Sequence, residues 1–198
     1  MKHLPALAAA TMLAAVTAHA QSTAWTLDKA HSRLGFTVTH LVISEVEGTF
    51  GDFAVTMKSD RADFSDAKVD VTVKTATVNT NEPKRDEHLR SDDFFAAAKF
   101  PAMTFRGKTF RKVGDRAYKL DGELTIRDVT KPVTLDVTFS GTAKDPWGNT
   151  KAGFRLTGTI NRYDFGLKWN KALEAGGVLV SEDVTITGVL QLARAEVQ

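Results

Sequence analysis

Arg85, Asp86 and His88 place a guanidinium, a carboxyl group and an imidazole within four consecutive positions. On a helix, residues 85 and 88 are one turn apart and face the same side. A guanidinium at position 85 could hold a phosphate or quinone oxygen, and the imidazole could donate a hydrogen bond to the same group. The alternative is an ion pair and a helix cap that pin the helix in place. Charges at a protein rim usually serve this structural purpose, so the sequence favours the alternative.

The other histidines do not indicate a metal or hydrolase site. His31 and His40 lack the spacing of zinc motifs such as H-E-x-x-H, and His40 falls on the apolar phase of its segment. Ser32 has neither a G-x-S-x-G turn nor a placed acid. The chain contains no cysteine, which excludes disulfides, thiol chemistry and thiolate metal sites. We therefore predict no catalytic residue, no metal site and no cofactor.

Apolar and polar residues alternate in segment after segment, which is typical of strands that bury one face. Between Lys68 and Lys74, for example, valines alternate with charged and polar residues. The same alternation runs through residues 34–40, 53–57, 118–126, 133–139, 154–160 and 184–192. Turn residues such as those at 145–149 separate the segments, and a bulge is expected near Gly51. The pattern predicts an all-β protein of about eight strands.

Only one stretch of the mature chain indicates a helix, from about Glu82 to Phe95. Asn81 is the predicted N-cap, and Pro83 suits the first turn. Ser91 can cap a further short turn. One helix among many strands is expected to form a lid or plug rather than a second layer.

Closure into a barrel would remove exposed sheet edges, and eight strands leave room for side chains or one small ligand. An outer-membrane barrel has a similar strand count, but its apolar face points outward. Here one strand face carries Lys68, Asp70 and Lys74, so the apolar face must point inward. Residues 194–198 also lack an aromatic girdle. We predict an eight-stranded antiparallel barrel that does not span a membrane, with its helical segment near the mouth.

Alternation does not decide whether the interior is hollow or filled. Gly122, Gly158 and Gly188 occupy the inward phase of their strands, between apolar neighbours two residues away. These glycines could leave interior space open, or they could mark bends at barrel corners. The second interpretation is the more common one.

The N-terminus predicts export. Lys2 and His3 precede an apolar run from Leu4 to Val16, and a small-residue site ends at Ala20. The run is shorter than the roughly 18 apolar residues of a spanning helix. We therefore predict a signal peptide of residues 1–20, cleaved after Ala20, and a single mature domain of residues 21–198. A bacterial periplasm is the expected location.

The mature chain is expected to be nearly neutral. Residues 1–20 carry one basic side chain, Lys2, and no acidic one, so 25 basic and 24 acidic side chains remain. Both signs are spread along the chain. This balance provides no electrostatic reason to expect nucleic acid or an anionic membrane surface as a partner.

Several phrases resemble the YceI-like family in the expected order. The central phrases are RDEHLRSDDFF at 85–95 and KFPAMTF at 99–105. The others are WTLDKAHSRLGFTVTHL at 25–41, GTFGDF at 48–53, LTIRDVTKPVTL at 124–135, GFRLTGTINRYDFGL at 153–167 and VSEDVTITG at 180–188. Arg127, Asp128 and Tyr163 depart from the family pattern. Together the phrases span nearly the whole mature chain.

The resemblance implies a lipocalin-like antiparallel barrel whose elongated apolar tunnel binds a long isoprenoid chain, such as a prenyl quinone or polyprenyl lipid. The expected wall residues are inward apolar side chains: Phe36, Val38, Phe53, Val71, Phe105, Leu124, Leu135, Phe154, Leu156, Ile160 and Ile186. The expected contacts to a head group, or within a helical lid, are His40, Arg85, Asp86 and His88. Each wall residue is equally compatible with plain core.

Three functional classes are compatible with the resemblance and with the residues. They are a carrier or store of an isoprenoid lipid, an enzyme acting on a hydrophobic molecule, and a packed structural or stress-response barrel. An enzyme would need convergent ionisable groups in the cavity, and only His40 and the Tyr118 hydroxyl meet this need among the inward strand positions. The identity of the lipid and a homodimer are left open. The carrier is the leading hypothesis.

Overall fold

One antiparallel sheet contains every named strand of the computed structural model, which describes residues 23–174 and 176–195. The predicted signal peptide and its cleavage site lie outside the described residues. The strands are β1 (Thr23–Leu27), β2 (Arg33–His40), β3 (Ser44–Phe50), β4 (Phe53–Ser59), β5 (Lys68–Lys74), β6 (Val78–Asn79), β7 (Ala102–Lys112), β8 (Ala117–Ile126), β9 (Val129–Lys144), β10 (Thr150–Asn161) and β11 (Val180–Arg194).

Eleven strand segments fill eight positions around a closed barrel. Three positions are each held by two strands in succession: β1 with β2, β3 with β4, and β5 with β6. The five long strands β7 to β11 fill the others. β11 closes the ring, because its C-terminal end pairs with β1 and its N-terminal part pairs with β2. The predicted eight-stranded antiparallel barrel is therefore confirmed.

The breaks within the three divided positions are short and local. A 3₁₀ turn at Lys29–His31 separates β1 from β2, and another at Thr75–Thr77 separates β5 from β6. Gly51 and Asp52 form a bend between β3 and β4. The prediction of a bulge inside one strand near Gly51 was therefore wrong, because two strands end and begin there. The sheet does contain irregularities between Gly107 and Thr109 and between Gly153 and Phe154.

The two ends of the barrel differ. At one end β6 is two residues long and pairs with β3, while β7 pairs with β5 and not with β6. The sheet is thus open between β6 and β7 at this end, which we call the mouth. The mouth also holds the C-terminal ends of β2, β8 and β10 and the start of β11. The opposite end, the base, holds the turns at 113–116 and 145–149.

A single α-helix, α1 (Pro83–Arg90), lies beside β6 at the mouth of the described barrel. The predicted N-cap was wrong: the Glu82 carboxylate accepts the Arg85 N–H, whereas Asn81 has a left-handed backbone with φ of 61°. The helix is also shorter than predicted. It ends before Ser91, whose hydroxyl accepts the N–H of Asp93 in the following turn. In the described part of the chain, no helix is long and apolar enough to cross a membrane.

An aromatic plug fills the base. Phe64, in the loop between β4 and β5, is only 2% exposed and has a left-handed φ of 58°. Its ring makes edge-to-face contacts with Trp25, Phe139 and Phe154, at centroid distances of 5.2 to 5.3 Å. The Tyr118 hydroxyl donates to the backbone carbonyl of Asp63 in the same loop. The base is therefore closed by packing and hydrogen bonding together.

A half-buried polar network joins the β1–β2 break to β10 and β11. The Asp28 carboxylate accepts hydrogen bonds from Lys151 at 2.9 Å and Gln191 at 3.1 Å, and it lies 3.0 Å from the His31 ring. Ser32 adds a hydroxyl that donates to the Asp28 carbonyl and accepts the Gln191 N–H. The hydrogen bond from Lys151, followed by that from His31, holds the pKa of Asp28 well below its usual range. This network fixes the broken strand against the closing strand.

We expect Asp28→Asn to destabilise the fold at neutral pH by about 2 kcal/mol, since it weakens several charged hydrogen bonds to one half-buried carboxylate. The folded state depresses this pKa, so the carboxylate contributes stability above about pH 4 and loses it as the pH falls further. The free-energy difference between Asp28→Asn and the parent should therefore shrink from pH 7 to pH 3 in urea unfolding.

A matched control is Asp136→Asn, which removes the carboxylate of an exposed ion pair with Lys119. Its cost should stay within about 0.5 kcal/mol at both pH values. An equal and pH-independent cost at Asp28 and Asp136 would contradict the assigned role of Asp28.

Candidate ligand-binding cavity

The barrel is hollow. Its interior contains a cavity of about 490 Å³, within the range of about 300–1,000 Å³ that is typical of small-molecule sites. All eight barrel positions contribute wall residues, because alternation turns one face of every strand inward. Most of these side chains are Leu, Val, Ile, Met or Phe. The cavity is therefore suited to an apolar occupant.

Ten of the eleven wall residues expected from the sequence lie on the cavity wall. They are Phe36, Val38, Val71, Phe105, Leu124, Leu135, Phe154, Leu156, Ile160 and Ile186. Phe53 does not line the cavity and is corrected to a core residue. It begins β4 directly after the bend at Gly51 and Asp52, and its ring is buried in the core rather than exposed to the cavity.

Other parts of the wall were not among the expected ligand contacts. Leu120, Val133 and Val184 lie on it and follow the strand alternation, so the sequence pattern could have included them. Leu89 and Trp169 come from outside the strands. No periodic signal marks these two residues, because the path of the chain beyond the strands brings them to the mouth.

The inward glycines are covered by neighbouring side chains. A Cβ atom on Gly122 would overlap the tip of the Phe105 ring, and a Cβ on Gly188 would lie 2.8 Å from Leu156. Leu135 covers Gly158 in the same way. Each glycine thus lets a wall side chain lean sideways along the sheet. The three glycines therefore leave no bare gap in the wall, and none of them has a left-handed backbone. Because the side chains that cover them lie along the sheet, the barrel axis stays open.

The polar cluster on α1 divides between two roles. Arg85 donates to the Thr80 hydroxyl at 2.7 Å and to the Thr80 carbonyl at 2.8 Å, and it also lines the cavity. Asp86 accepts the N–H and the hydroxyl of Thr80 at 2.8 and 2.6 Å. Because Asp86 is 7% exposed and absent from the wall, it is not placed to contact a head group; it pins the helix, which is the alternative that the sequence favours.

The two histidines expected at the mouth both line the cavity. His88 Nε2 lies 2.8 Å from the Asp93 carboxylate, and its ring packs edge-to-face against Trp169 and Phe94. His40 ends β2. In the described ranges, no group of three or more His, Asp or Glu side chains could hold a metal ion.

Arg162 is a wall residue that the sequence did not reveal. The residue is 4% exposed, and its guanidinium donates to the backbone carbonyls of Ser181 at 2.9 Å, Trp169 at 2.9 Å and Val180 at 3.3 Å, and to that of Leu167. Burial lowers its pKa, although an arginine stays charged. No described carboxylate forms an ion pair or hydrogen bond with it. It ties the segment after β10 to the start of β11 and places a positive charge at the mouth.

Comparison with known families and proteins covers almost all of the described chain. The model of the YceI-like domain matches residues 25–192. The UPF0312 protein SA2479 of Staphylococcus aureus is 39% identical over 175 residues, which are 88% of this chain and 99% of that protein. The family match runs from within β1 into β11 and so covers nearly the whole barrel.

Three solved structures share the architecture. The crystal structure of a Campylobacter jejuni YceI protein is 39% identical, with a TM-score of 0.69, over 86% of this chain and 98% of that one. Burkholderia cenocepacia BcnA is 22% identical, with a TM-score of 0.73, over 83% and 98%. A polyisoprenoid binding domain from Saccharophagus degradans is 16% identical, with a TM-score of 0.61, over 86% and 98%. The last two similarities concern the fold alone.

The fit of Phe36 over Gly48 provides a test of how the cavity is kept open. A Cβ on Gly48 would overlap the Phe36 ring tip, and Phe36 lines the cavity. We expect Gly48→Ala to push this ring toward the barrel axis and to weaken binding of the apolar fluorophore 1-aminoanthracene several-fold. Overpacking of this kind should also cost about 1–3 kcal/mol of stability, which urea unfolding measures.

Gly51→Ala is the control, because its Cβ would meet only ordinary contacts of 3.8 Å. It should bind the fluorophore like the parent. Unchanged binding by folded Gly48→Ala would show that the ring over Gly48 does not set the cavity size.

Proposed function

Because the chain belongs to the YceI-like family, we propose that it binds an isoprenoid lipid in the barrel cavity and acts as a carrier or store. The single observation that supports this most directly is the cavity itself, which is apolar along its length and polar at one end. The solved domain from Saccharophagus degradans, which has the same fold, is named as polyisoprenoid binding.

The apolar wall supplies the affinity. Each CH₂-sized group that leaves water contributes about 0.8 kcal/mol, so a few isoprene units suffice without hydrogen bonds along the tail. Phe64 and its aromatic neighbours block the base. The tail therefore enters from the mouth and points toward the base.

The head group remains at the mouth in this proposal. The ionisable side chains on the described wall are Lys84, Arg85, Arg162, His40 and His88, with no Asp or Glu among them. Such a set favours a head group that accepts hydrogen bonds or carries negative charge, such as a quinone oxygen or a phosphate. We therefore favour a prenyl quinone or a polyprenyl lipid as the cargo.

The proposed place of action is the bacterial periplasm, on the strength of the signal-peptide pattern in residues 1–20. There the protein would hold or transfer a lipid that is almost insoluble in water. A non-enzymatic role fits the wall better than catalysis, since its ionisable groups lie at the mouth and lack a partner carboxylate on the wall. Turnover of a hydrophobic substrate that His40→Ala abolishes would favour the enzyme alternative instead.

Native mass spectrometry of the mature protein, purified from a bacterial periplasm without detergent, tests the proposal. We expect one bound lipid per barrel, and organic extraction should identify it as a prenyl quinone or polyprenyl lipid. A bare protein that also takes up no added isoprenoid would contradict the function. The measured mass would also test the predicted cleavage after Ala20.

A matched pair of substitutions on β11 tests where the lipid binds. Val184 lines the cavity, whereas Val189 lies on the same strand and is exposed on the outside. Val184→Trp should fill the cavity and reduce the bound lipid at least about tenfold, since it displaces several buried CH₂ groups. Val189→Trp should keep its lipid.

Thermal unfolding checks that both variants fold. Equal lipid content in folded Val184→Trp and Val189→Trp would place the lipid outside the cavity.

A further inference from the structure

The β2–β3 hairpin ends in an apolar tip. Leu41, Val42 and Ile43 are consecutive and are 37%, 70% and 85% exposed. Val178, 37% exposed, belongs to the neighbouring loop, where Gly177 approaches Val42. We call these four residues the apolar tip. A run of exposed apolar residues in a tight turn is unfavourable in water, and such runs usually mark a surface that contacts another molecule.

The backbone of the tip is strained but held in place. Leu41 and Val42 have left-handed φ values of 53° and 66°, a conformation that bulky residues rarely adopt, and β-branched ones such as valine least of all. Hairpin turns of this geometry favour asparagine and glycine. The Leu41 N–H nevertheless donates to the Leu179 carbonyl at 2.9 Å, and the Ile43 N–H donates to the His40 carbonyl at 3.2 Å. The fold therefore holds bulky apolar side chains where polar ones would suit the turn better.

The tip continues into the cavity wall. His40 directly precedes it, Leu179 and Val180 directly follow Val178, and all three line the cavity at the mouth. Other exposed large apolar residues lie elsewhere: Val113 and Trp147 are in turns at the base, and Val189 is on the outer face of β11. Apolar surface thus runs from the outside of the mouth into the barrel.

We propose that the apolar tip inserts into the surface of a lipid bilayer, so that the cavity mouth opens onto the membrane. This inference rests on the proposed function and adds to it the site of lipid exchange. An isoprenoid tail could then pass between membrane and barrel without crossing water, where each exposed CH₂ is unfavourable. Insertion of a few apolar side chains below the head groups is how peripheral proteins hold membrane surfaces.

A bilayer fits the tip better than a second copy of the chain. Stable protein interfaces use about 20–30 residues on each side, whereas the tip has four. The charges beside it are of both signs, as with Lys171 and Glu45, both exposed. The attraction therefore comes from apolar area, and neutral phosphatidylcholine vesicles should bind with little dependence on salt.

Vesicle flotation with the mature protein tests the insertion. The tip variant carries Val42→Asn and Ile43→Ser, and asparagine tolerates the left-handed φ, so folding should be preserved or improved. The control variant carries Val113→Asn and Trp147→Ser at the base. We expect the parent and the control to float with phosphatidylcholine vesicles, and the tip variant to bind at least about tenfold more weakly.

A second measurement separates membrane contact from cavity binding. Transfer of a fluorescent isoprenoid from vesicles should be at least tenfold slower for the tip variant, while farnesol added from solution should bind all three proteins equally. Failure of the parent to float, or equal flotation of the tip variant, would overturn the insertion. The insertion would also be overturned if the parent formed a dimer that the tip substitutions dissociate without changing flotation. Absence of farnesol binding in every protein would instead contradict the proposed function, and the flotation result would still decide the insertion.

Discussion

Closure of the sheet through β11 is the constraint on which the cavity depends. β11 pairs with β10 along one edge and with β1 and β2 in succession along the other. The ring therefore has eight positions and, toward the base, no free edge. In a closed antiparallel ring, side chains must alternate between lumen and solvent. The apolar face of each strand therefore meets the apolar faces of all the others, and the space between them becomes a cavity rather than a contact with another layer.

The cavity stays open because its wall side chains lie along the sheet. Phe105, Leu135 and Leu156 each lean over a glycine of the adjacent strand, which removes them from the axis without weakening the wall. Large side chains directed straight inward would fill a ring of this size. Glycine thus acts here through the packing of its neighbour, which is a different effect from the conformational freedom usually ascribed to it.

The breaks in three barrel positions separate a sealed base from an open mouth. β7 begins at Ala102, opposite the last residue of β5, so the short β6 has no described strand on this side, and α1 lies beside it. Polar groups collect at that end: Arg85 and Asp86 hold Thr80, and Arg162 holds the chain that leads into β11. At the base Phe64 seals the interior. One end is therefore apolar and closed, the other charged and accessible, and this polarity suits a ligand with a long tail and a polar head.

The sequence by itself determined the strand alternation, the inward direction of the apolar face, the helix after β6 and the family, because each depends on local periodicity or on matched phrases. It also placed ten of the eleven expected wall residues correctly, since residues two apart on one strand share a face. Only the tertiary structure decided that the barrel is hollow, that Phe53 and Asp86 lie off the wall, and that Arg162 lies on it. These outcomes depend on contacts between residues far apart in the chain, and no periodicity within one segment records them.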